Sequence, residues 1–475
     1  MGINRVLSQS KGALAASQMG LATTSHNISN ANTKGYSRQR VEMHANPPVN
    51  DVGVRVGTGV GVGAVTRSTS PYVSKRIEEE SSDLGSFESL NEVYTQLEAD
   101  LDDEGESGIS SRISRFFNDV RSLSTEPQSV PLRAAVRESA NSVVSRFHGM
   151  RENFDAMVGD LDRRVEGSVA SINALTKKIA ELNQRIVDVE VVSGSFANDE
   201  RDSRDMAIKD LSKIISVQTT ELKDGGISVS SGRAGVIVDA SGSYELAAMR
   251  APDANHDSVV RVFTKEAGGS APRDITSALG NGSLGGLLKA RDTVLPKVID
   301  KVDTLAFGFT NSLNSVHRQG FGTNNVSNTE LFSLGSSDSA KGASRRISLS
   351  DDVENNLSNM ASAQAPGSAG DNRQLLALAD LEDAAIFEGG EANFTNYMSS
   401  LVGTMGVEAR SVRDSLDTQS SVMTQLEGLH EETVGVSLDE EAISMLKFQK
   451  AFDANAKMIQ VADSMMETVL NLKRF

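Results

Sequence analysis

The sequence predicts a mainly α-helical protein with an inserted β region: a long helical-hairpin or coiled-coil terminal domain, a helical-bundle middle domain and a small β-rich outer domain. Both chain ends carry apolar residues at alternating three- and four-residue spacing, and Phe154 to Val189 keep that spacing over five heptads within a helix expected from about Leu132 to Val192. Residues 203–285 change to short β-rich runs. The expected units are 1–70 with 431–475 (terminal domain and adjoining β segment), 71–202 with 284–319 and 371–430 (bundle), and 203–283 with 320–370 (outer domain).

The C-terminal segment from Ser437 to Phe475 is predicted to be one long helix with an apolar stripe. Ser437 and Glu440 have the spacing of a capping box, and neither Pro nor Gly follows them. Asn455 is the polar member of the stripe: a buried amide there would fix helix register, whereas a slight rotation would turn it to solvent. The stripe needs a partner helix, from the N-terminus or from another copy. Its members are Met445, Phe448, Phe452, Asn455, Ile459, Ala462, Met466 and Val469.

The N-terminal segment carries a matching heptad pattern. One large aliphatic residue per heptad alternates with small residues, which lets a neighbouring helix come close. An Asn-rich stretch with a glycine follows, and these residue types tolerate left-handed backbone, so the helix is predicted to end there in a turn. The N-terminal stripe is Leu7, Leu14, Leu21 and Ile28, and the turn residues are Asn27, Asn30, Asn32, Gly35 and Tyr36.

Helical and β patterns alternate between the two ends. Residues 53–65 alternate Gly with Val and Thr, which predicts a strand or hairpin whose glycine face admits another backbone. The long helical pattern that ends near Val192 is interpreted as a core helix of a bundle rather than an intermolecular coiled coil. Further helices are predicted after Pro71, from Leu284, over 375–385 and from Phe394 to about His430, and strands at 214–217, 227–229, 235–238, 259–263 and 346–349.

Composition excludes several function classes. The net charge is −17, with the acid excess in the middle of the chain, which speaks against nucleic acid and against an anionic membrane surface. There is no cysteine, so disulfides, Cys-ligated zinc and thiol nucleophiles are excluded. No signal peptide and no membrane-spanning run are expected, which taken alone would indicate a cytoplasmic protein.

No catalytic or metal constellation is found, and no cofactor is predicted. The six histidines are scattered, with no two at a metal-ligand spacing, and no Gly-x-Ser-x-Gly elbow is present. Residues 59–64 match a loose dinucleotide turn, but no helix opens on those glycines. An enzyme is therefore the least favoured class.

Together these segments resemble the flagellar rod, hook and hook-associated axial proteins, and within that family the hook-associated branch. Residues 35–39 and 179–186 carry the narrower similarity, which spans nearly the whole chain. The family's N-terminal motif corresponds to 25–39 and its C-terminal motif to 436–442, 448–452 and 462–466, with further matches at 285–292, 314–317 and 370–373.

The resemblance implies a structural component of the bacterial flagellum that forms the hook–filament junction and is required for filament assembly on the hook. The implied partners are further copies in a ring, the hook protein, a second junction protein and a cytoplasmic export chaperone on the C-terminal helix, without nucleic acid and without membrane insertion. The implied location is extracellular, reached through the flagellar type III apparatus without a cleaved signal. The competing class is a secreted coiled-coil adhesin with a ligand-binding β insertion.

Overall fold

The computed structural model describes residues 2–51, 54–101, 103, 105, 107–252, 258–265, 272–335, 337 and 339–472. The helices are α1 Gly2–Asn30, α2 Pro71–Asp100, α3 Ile109–Thr125, α4 Val130–Ser193, α5 Asn198–Ile214, α6 Gly282–Lys289, α7 Leu295–His317, α8 Ala343–Arg346, α9 Asp351–Asn355, α10 Arg373–Ala379, α11 Phe394–Val434 and α12 Leu438–Leu472. The strands are β1 Gln39–Ala45, β2 Val49–Asp51, β3 Val54–Val56, β4 Val60–Arg67, β5 Gln218–Glu221, β6 Ile227–Ser231, β7 Gly235–Asp239, β8 Gly242–Ser243, β9 Leu246–Ala251, β10 Val259–Thr264, β11 Arg273–Asp274, β12 Phe332–Ser333 and β13 Ser348–Leu349.

The first and last helices lie side by side and antiparallel. Asn27, near the end of α1, bonds to Glu441 at the start of α12, and Gly20 of α1 lies against Phe448. Strands β1 and β4 form an antiparallel ribbon that packs on α1. Both chain ends therefore meet in one terminal unit, as the two matching stripes predict.

The longest helix, α4, organises the middle of the molecule. Pro131 stands in its first turn, where a missing N–H costs nothing, and Gly194 ends it with a left-handed φ of 63°. Its 64 residues span about 95 Å. Helices α2, α3, α5 and α7 and the inserted sheets share one hydrophobic core with it. The prediction of a core helix from about 132 to 192 is confirmed.

An aromatic cluster fills the centre of this core. Phe116 and Phe117 of α3 meet Phe309 of α7, Phe332 of β12 and Phe394 of α11, with ring centroids 5.2 to 6.5 Å apart. All five side chains are fully buried. Each contributes roughly 2 to 3 kcal/mol through removal of apolar area from water. The cluster thus joins elements that are distant in sequence.

The inserted β region consists of two antiparallel sheets docked on α4. Their strand orders are β5-β6-β7-β8 and β11-β10-β9. The Asn173 side chain bonds both backbone groups of Leu246 at 2.8 and 2.9 Å, and Asn183 does the same for Ile227 at 2.8 and 3.0 Å. Asp162 accepts a backbone N–H of β10 at 3.1 Å. These three residues recur about every three turns, so one side of α4 holds the insertion.

Side chains of α7 and α4 hold residues 320–370. Asn314 accepts the backbone N–H of Phe332 at 3.0 Å and donates to its carbonyl at 2.7 Å. His317 bonds the carbonyl of Thr329 at 2.8 Å and the N–H of Ala361 at 2.9 Å. Arg133 of α4 also donates to the carbonyls of Leu357 and Met360, so buried polar side chains hold the segment together with its short β12–β13 sheet.

One predicted strand, at 214–217, is wrong. Helix α5 continues through Ile214 because Ile208 and Leu211 lie on its buried side, and Ile215 is buried directly after it. The strand begins only at Gln218. β-branched residues occupied a helix end here because tertiary burial outweighed their local preference.

Other sequence predictions were partly right. The strands at 227–229, 235–238 and 259–263 are confirmed. At 346–349 only the last two residues form a strand, since α8 occupies the start. The helix expected over 375–385 ends earlier, with α10, where a run of acidic side chains follows.

The glycine-rich segment departs from a continuous strand. Residue 53 lies outside the described residues, and residues 57–59 form the bend between β3 and β4. Gly59 has a φ of +96°, and a Cβ there would lie 3.3 Å from the Gln9 Cα, so the backbone of α1 does approach it. At Gly61 the space is taken by the His44 side chain instead.

The division into three domains stays a prediction. The strands of 203–283 and of 320–370 lie in separate sheets, and residues 203–214 belong to α5. No helix in the described part of the chain carries an apolar stretch long enough to cross a membrane.

Candidate functional site: the terminal helix pair and its joint

The contact between α1 and α12 places small residues against large ones. The side of α1 that is buried consists of Ser10, Ala16, Ser17, Gly20, Thr23, Thr24 and Asn27. A Cβ built on Gly20 would lie only 2.6 Å from the Phe448 ring, so glycine is required for this approach. Close helix packing is thus obtained with small side chains on α1 and aromatic ones on α12.

Most of the predicted stripe residues on both helices are only partly covered in the single chain. Leu7, Leu14, Leu21 and Ile28 are half-buried, beside the small residues that form the centre. On α12 the half-buried residues are Met445, Phe448, Phe452, Asn455, Ile459 and Met466, while Ala462 is buried. Val469 is 53% exposed and lies outside the covered part. Asn455 is neither deeply buried nor free in solvent: its amide donates to Ala451 of the same helix at 2.8 Å.

Asn27 is the centre of a hydrogen-bonded cluster where α1 ends, with Tyr36, Gln39 and Glu441; this cluster is called the joint below. It is buried, and its Oδ1 accepts the Tyr36 hydroxyl at 2.7 Å and the Gln39 backbone N–H at 3.0 Å. Its Nδ2 donates to the Gln39 carbonyl at 2.9 Å and to Glu441 at 3.1 Å. Burial raises the pKa of Tyr36, and the carboxylates of Asp199, Asp202 and Glu441 raise it further, so the phenol remains a neutral donor.

Other turn residues have distinct positions. Gly35 has a φ of +79°, and a Cβ there would lie 2.2 Å from the Met206 side chain of α5. Asn30 donates to the His26 carbonyl at 3.1 Å, which satisfies a carbonyl of the last helical turn. Asn32 is exposed. The turn predicted after the first helix is therefore present. It packs directly on α5, which belongs to the group of helices around α4 that share one core and are called the helical domain below.

Glu441 is a further member of the joint, which the apolar stripe does not indicate. Its carboxylate is almost fully buried and accepts Arg38 Nε at 2.6 Å as well as the Asn27 amide. The Glu440 side chain accepts Arg38 at 2.5 Å instead of reaching back to the helix start, so this half of the predicted capping box is not formed. The other half is present as a long bond, in which the Glu440 N–H donates to Ser437 Oγ at 3.5 Å. The available signal was position, because Glu441 lies four residues before Met445 and so falls on the stripe.

Helix α5 fastens this joint to the helical domain through acidic residues in its first turns. Asp202 accepts the Ser37 backbone N–H at 2.8 Å and Arg67 at 2.7 Å. Asp199 accepts the Gln39 amide at 2.8 Å. Negative charge at a helix N-terminus is favourable because it meets the positive end of the helix dipole. None of these contacts could be inferred from residue spacing, since they join segments far apart in sequence.

A cleft of about 800 Å³ lies beside the joint, between α2, α5, β5 and the end of α11. Its walls carry charges of both signs, among them Lys75, Arg201, Asp205 and Glu427. Burial raises the pKa of Glu78 in this cleft to about 7, although a hydroxyl of Thr219 bonds it. Within the described residues no group of His, Asp and Glu is arranged to hold a metal ion. The mixed charge therefore favours no single ligand class.

The side of α12 turned away from α1 is also apolar. Ile443, Leu446 and Val461 are exposed and lie about 140° to 220° around the helix from Phe448, which packs on α1. Met458 and Met465 are also exposed and lie on the flank between the two sides. A helix with apolar residues on two opposite sides needs two partners, and α1 covers one side only.

Protein-family models match the terminal helices and the helical domain. The family model for the helical domain of the flagellar hook-associated protein FlgK matches residues 94–332. A model for flagellar basal body rod proteins matches 9–36, and one for the C-terminal part of the basal body rod FlgEFG proteins matches 430–472. The last two ranges contain most of α1 with its turn and all of α12.

Full-length relatives agree with these matches. The chain is 26% identical to flagellar hook-associated protein 1 of Bacillus subtilis, over 98% of this chain and 97% of that protein. It is 24% identical to flagellar hook-associated protein 1 of Salmonella typhimurium and of Escherichia coli, over 99% of this chain and all of each relative.

A solved structure shares the fold. The flagellar hook junction protein FlgK of Burkholderia pseudomallei superposes with a TM-score of 0.68 at 16% identity, covering 76% of this chain and all of that one. The similarity to axial proteins seen in the sequence motifs is thereby confirmed. Because the helical-domain model spans half of the sequence and agrees with the full-length relatives, the chain belongs to the flagellar hook-associated protein 1 (FlgK) family.

Proposed function

We propose that this chain is a structural subunit of the bacterial flagellum that forms the junction between hook and filament and is required for filament assembly on the hook. The relatives' names and the hook-junction title of the similar structure support this role. The observation that carries it is the two-sided apolar helix α12. One side faces α1 and the other is uncovered in the single chain, as expected for a subunit that completes its burial in an assembly.

The proposed partners are further copies of the chain in a ring, the hook protein on one side and a second junction protein on the other. Rod-type family models match both terminal segments, which supports shared packing rules with other axial proteins. The terminal pair of α1 and α12 would line this assembly, with the helical domain outside it and the β insertion facing outward. The chemistry needed is helix packing, so the proposal includes no enzymatic step.

The proposed location is the outside of the cell, reached through the flagellar type III apparatus without a cleaved signal. Before export, a cytoplasmic chaperone would cover the C-terminal helix. The exposed side of α12 supports this, because a row of large apolar side chains at helical spacing suits a groove-shaped binding partner.

The adhesin alternative is less well supported. It requires the β insertion to act as an independent ligand-binding unit, whereas Asn173, Asn183 and Asp162 bond its strands to α4 along one side of the helix. These contacts favour a β insertion that is held rigidly on the helical part of the subunit.

The experiment that tests the assembly function introduces a charge into the α1–α12 contact. In a strain that lacks the chain, expressed Phe452→Asp is expected to leave hooks without filaments, because a buried charge without a partner is costly. Electron microscopy of flagella measures this. The helical domain should stay folded, with an unchanged unfolding transition.

Gln449→Asp is the matched control, since Gln449 lies one turn before Phe452 and is exposed. It should restore filaments like the unaltered chain. Normal filaments with Phe452→Asp would contradict the assembly role of this contact, and failure of the unaltered chain to restore filaments would overturn the proposed function itself.

A further inference from the structure

The start of α12 exposes two apolar side chains on the side turned away from α1. This α12 patch consists of Ile443 and Leu446, which are 67% and 58% exposed. Leu446 lies two residues, about 200° around the helix, from Phe448, which packs on α1. The α12 patch therefore occupies the flank of the terminal pair that is opposite to α1.

A second exposed apolar group lies at the turn between α4 and α5. This valine patch consists of Val191, Val192 and Phe196, and Val192 is 86% exposed. Phe196 also lines a groove of about 340 Å³ whose other wall is α1, at Ala22. Ala22, Thr23 and His26 line this groove and lie about 60° to 160° around α1 from Gly20, so the groove opens on the flank beside the α12 contact.

We propose that the α12 patch of one copy docks on the valine patch and groove of the next copy. The inference rests on the proposed assembly function and assigns the surfaces that copies use. The two patches are different surfaces of one subunit, so their contact is head to tail and can repeat from copy to copy, as a ring or tube requires.

The two patches also lie at the same level of the terminal pair. Glu441, in the turn that carries the α12 patch, bonds to Asn27. Asp199, beside the valine patch, bonds to Gln39, whose backbone is held by the same asparagine. Copies placed side by side therefore present one patch to the other.

Charge supports the same pairing. Lys447 and Lys450 are exposed on the turns that follow the α12 patch. Asp199 and Glu200 line the groove beside the valine patch. Opposite charges next to matching apolar surfaces favour one docking partner and one orientation.

The chain contains no cysteine, which makes a cross-linking test direct. The double variant Val192→Cys with Leu446→Cys is expressed in a strain lacking the chain, and isolated hook–filament preparations are oxidised. Both positions are exposed, so folding is not at risk. On a non-reducing gel, we expect the monomer band to disappear and a ladder of disulfide-linked species to appear, including species larger than dimers.

Each single variant should remain monomeric. The control pair Val192→Cys with Leu470→Cys should also remain unlinked, because Leu470 is exposed but lies about 36 Å along α12 from Leu446. If the double variant restores filaments and yields no cross-link, or yields dimers alone, this docking is wrong while the proposed function stands. If the unaltered chain restores no filaments, the failure is that of the proposed function.

Discussion

The buried imidazole of His317 connects the chemistry of one residue to the stability of a long segment. Its Nε2 accepts the Ala361 N–H and its Nδ1 bonds the Thr329 carbonyl, so the ring must be neutral. Burial lowers its pKa to about 4; the Thr329 bond opposes this shift, and the cation of Arg133 adds to it. Protonation would remove the acceptor that holds residues 357–363.

The sign of the pH dependence follows from that shift. Because the folded pKa lies below the ordinary value of about 6.5, the stabilisation is complete above that value and is lost as pH falls toward 4. We expect the free-energy difference of unfolding between the unaltered chain and His317→Gln to shrink by about 2 kcal/mol between pH 7 and pH 4.5. Urea unfolding at both pH values measures it. A difference that stays constant with pH would show that His317 does not titrate in this range.

Asn27 makes a second residue-scale prediction. Asn27→Ala leaves the Tyr36 hydroxyl, the Gln39 N–H and Glu441 without this partner in a buried site, which should cost about 2 to 4 kcal/mol in the terminal unit. Amide hydrogen exchange of residues 27–45 should become faster in proportion. Asn32→Ala, in the same turn but exposed, should change stability by less than about 0.5 kcal/mol. Equal effects of the two variants would refute the role given to Asn27.

At the scale of elements, the packing of small α1 residues against large α12 side chains can be tested at Gly20. Gly20→Val should weaken the α1–α12 contact by about 1 to 3 kcal/mol, because the new side chain would overlap the Phe448 ring. Phe448→Ala should relieve most of that cost when combined with it, which a double-mutant cycle on hydrogen exchange of α12 measures.

Ala15→Val on the exposed side of α1 is the matched control. It should cost only the helix propensity of a β-branched residue, about 0.5 kcal/mol, with no coupling to Phe448→Ala. Additive effects of Gly20→Val and Phe448→Ala would mean that the two residues do not meet.

Periodicity predicted the helices well, because a helix must bury one side whatever its partner is. The 3-4 spacing of α12 includes Phe448, which lies against Gly20 of α1. The joint could not be predicted in the same way. Glu441 pairs with Arg38, and Asp202 with Arg67, across about 400 and 135 positions of sequence, and only the fold brings such residues together.

On α1 the small residues of the heptad pattern, such as Ser17, are fully buried, whereas Leu7, Leu14 and Leu21 are half-buried. Hydrophobicity alone does not reveal that the partner supplies the large side chains. Similarly, Ile214 and Ile215 have β preference, yet a buried helix end suits them equally.

At the scale of the whole molecule, burial is unevenly distributed. The helical domain encloses a continuous core around α4 and its aromatic cluster. The terminal pair, in contrast, has half-buried contacts on one side of α12 and exposed apolar residues on the other. Helices of this kind gain most of their stability from tertiary or quaternary packing. The free chain should therefore consist of a stable domain joined to a weakly protected terminal pair.

Amide hydrogen exchange of the free chain, compared with the chain in isolated hook–filament preparations, tests this account most directly. In the free chain, residues 2–34 and 443–469 should exchange orders of magnitude faster than the core of α4, as expected for segments that open locally. In the assembled state the same residues should become as protected as α4. Strong protection of both terminal segments in the free chain, unchanged on assembly, would contradict the claim that α12 completes its burial only among copies.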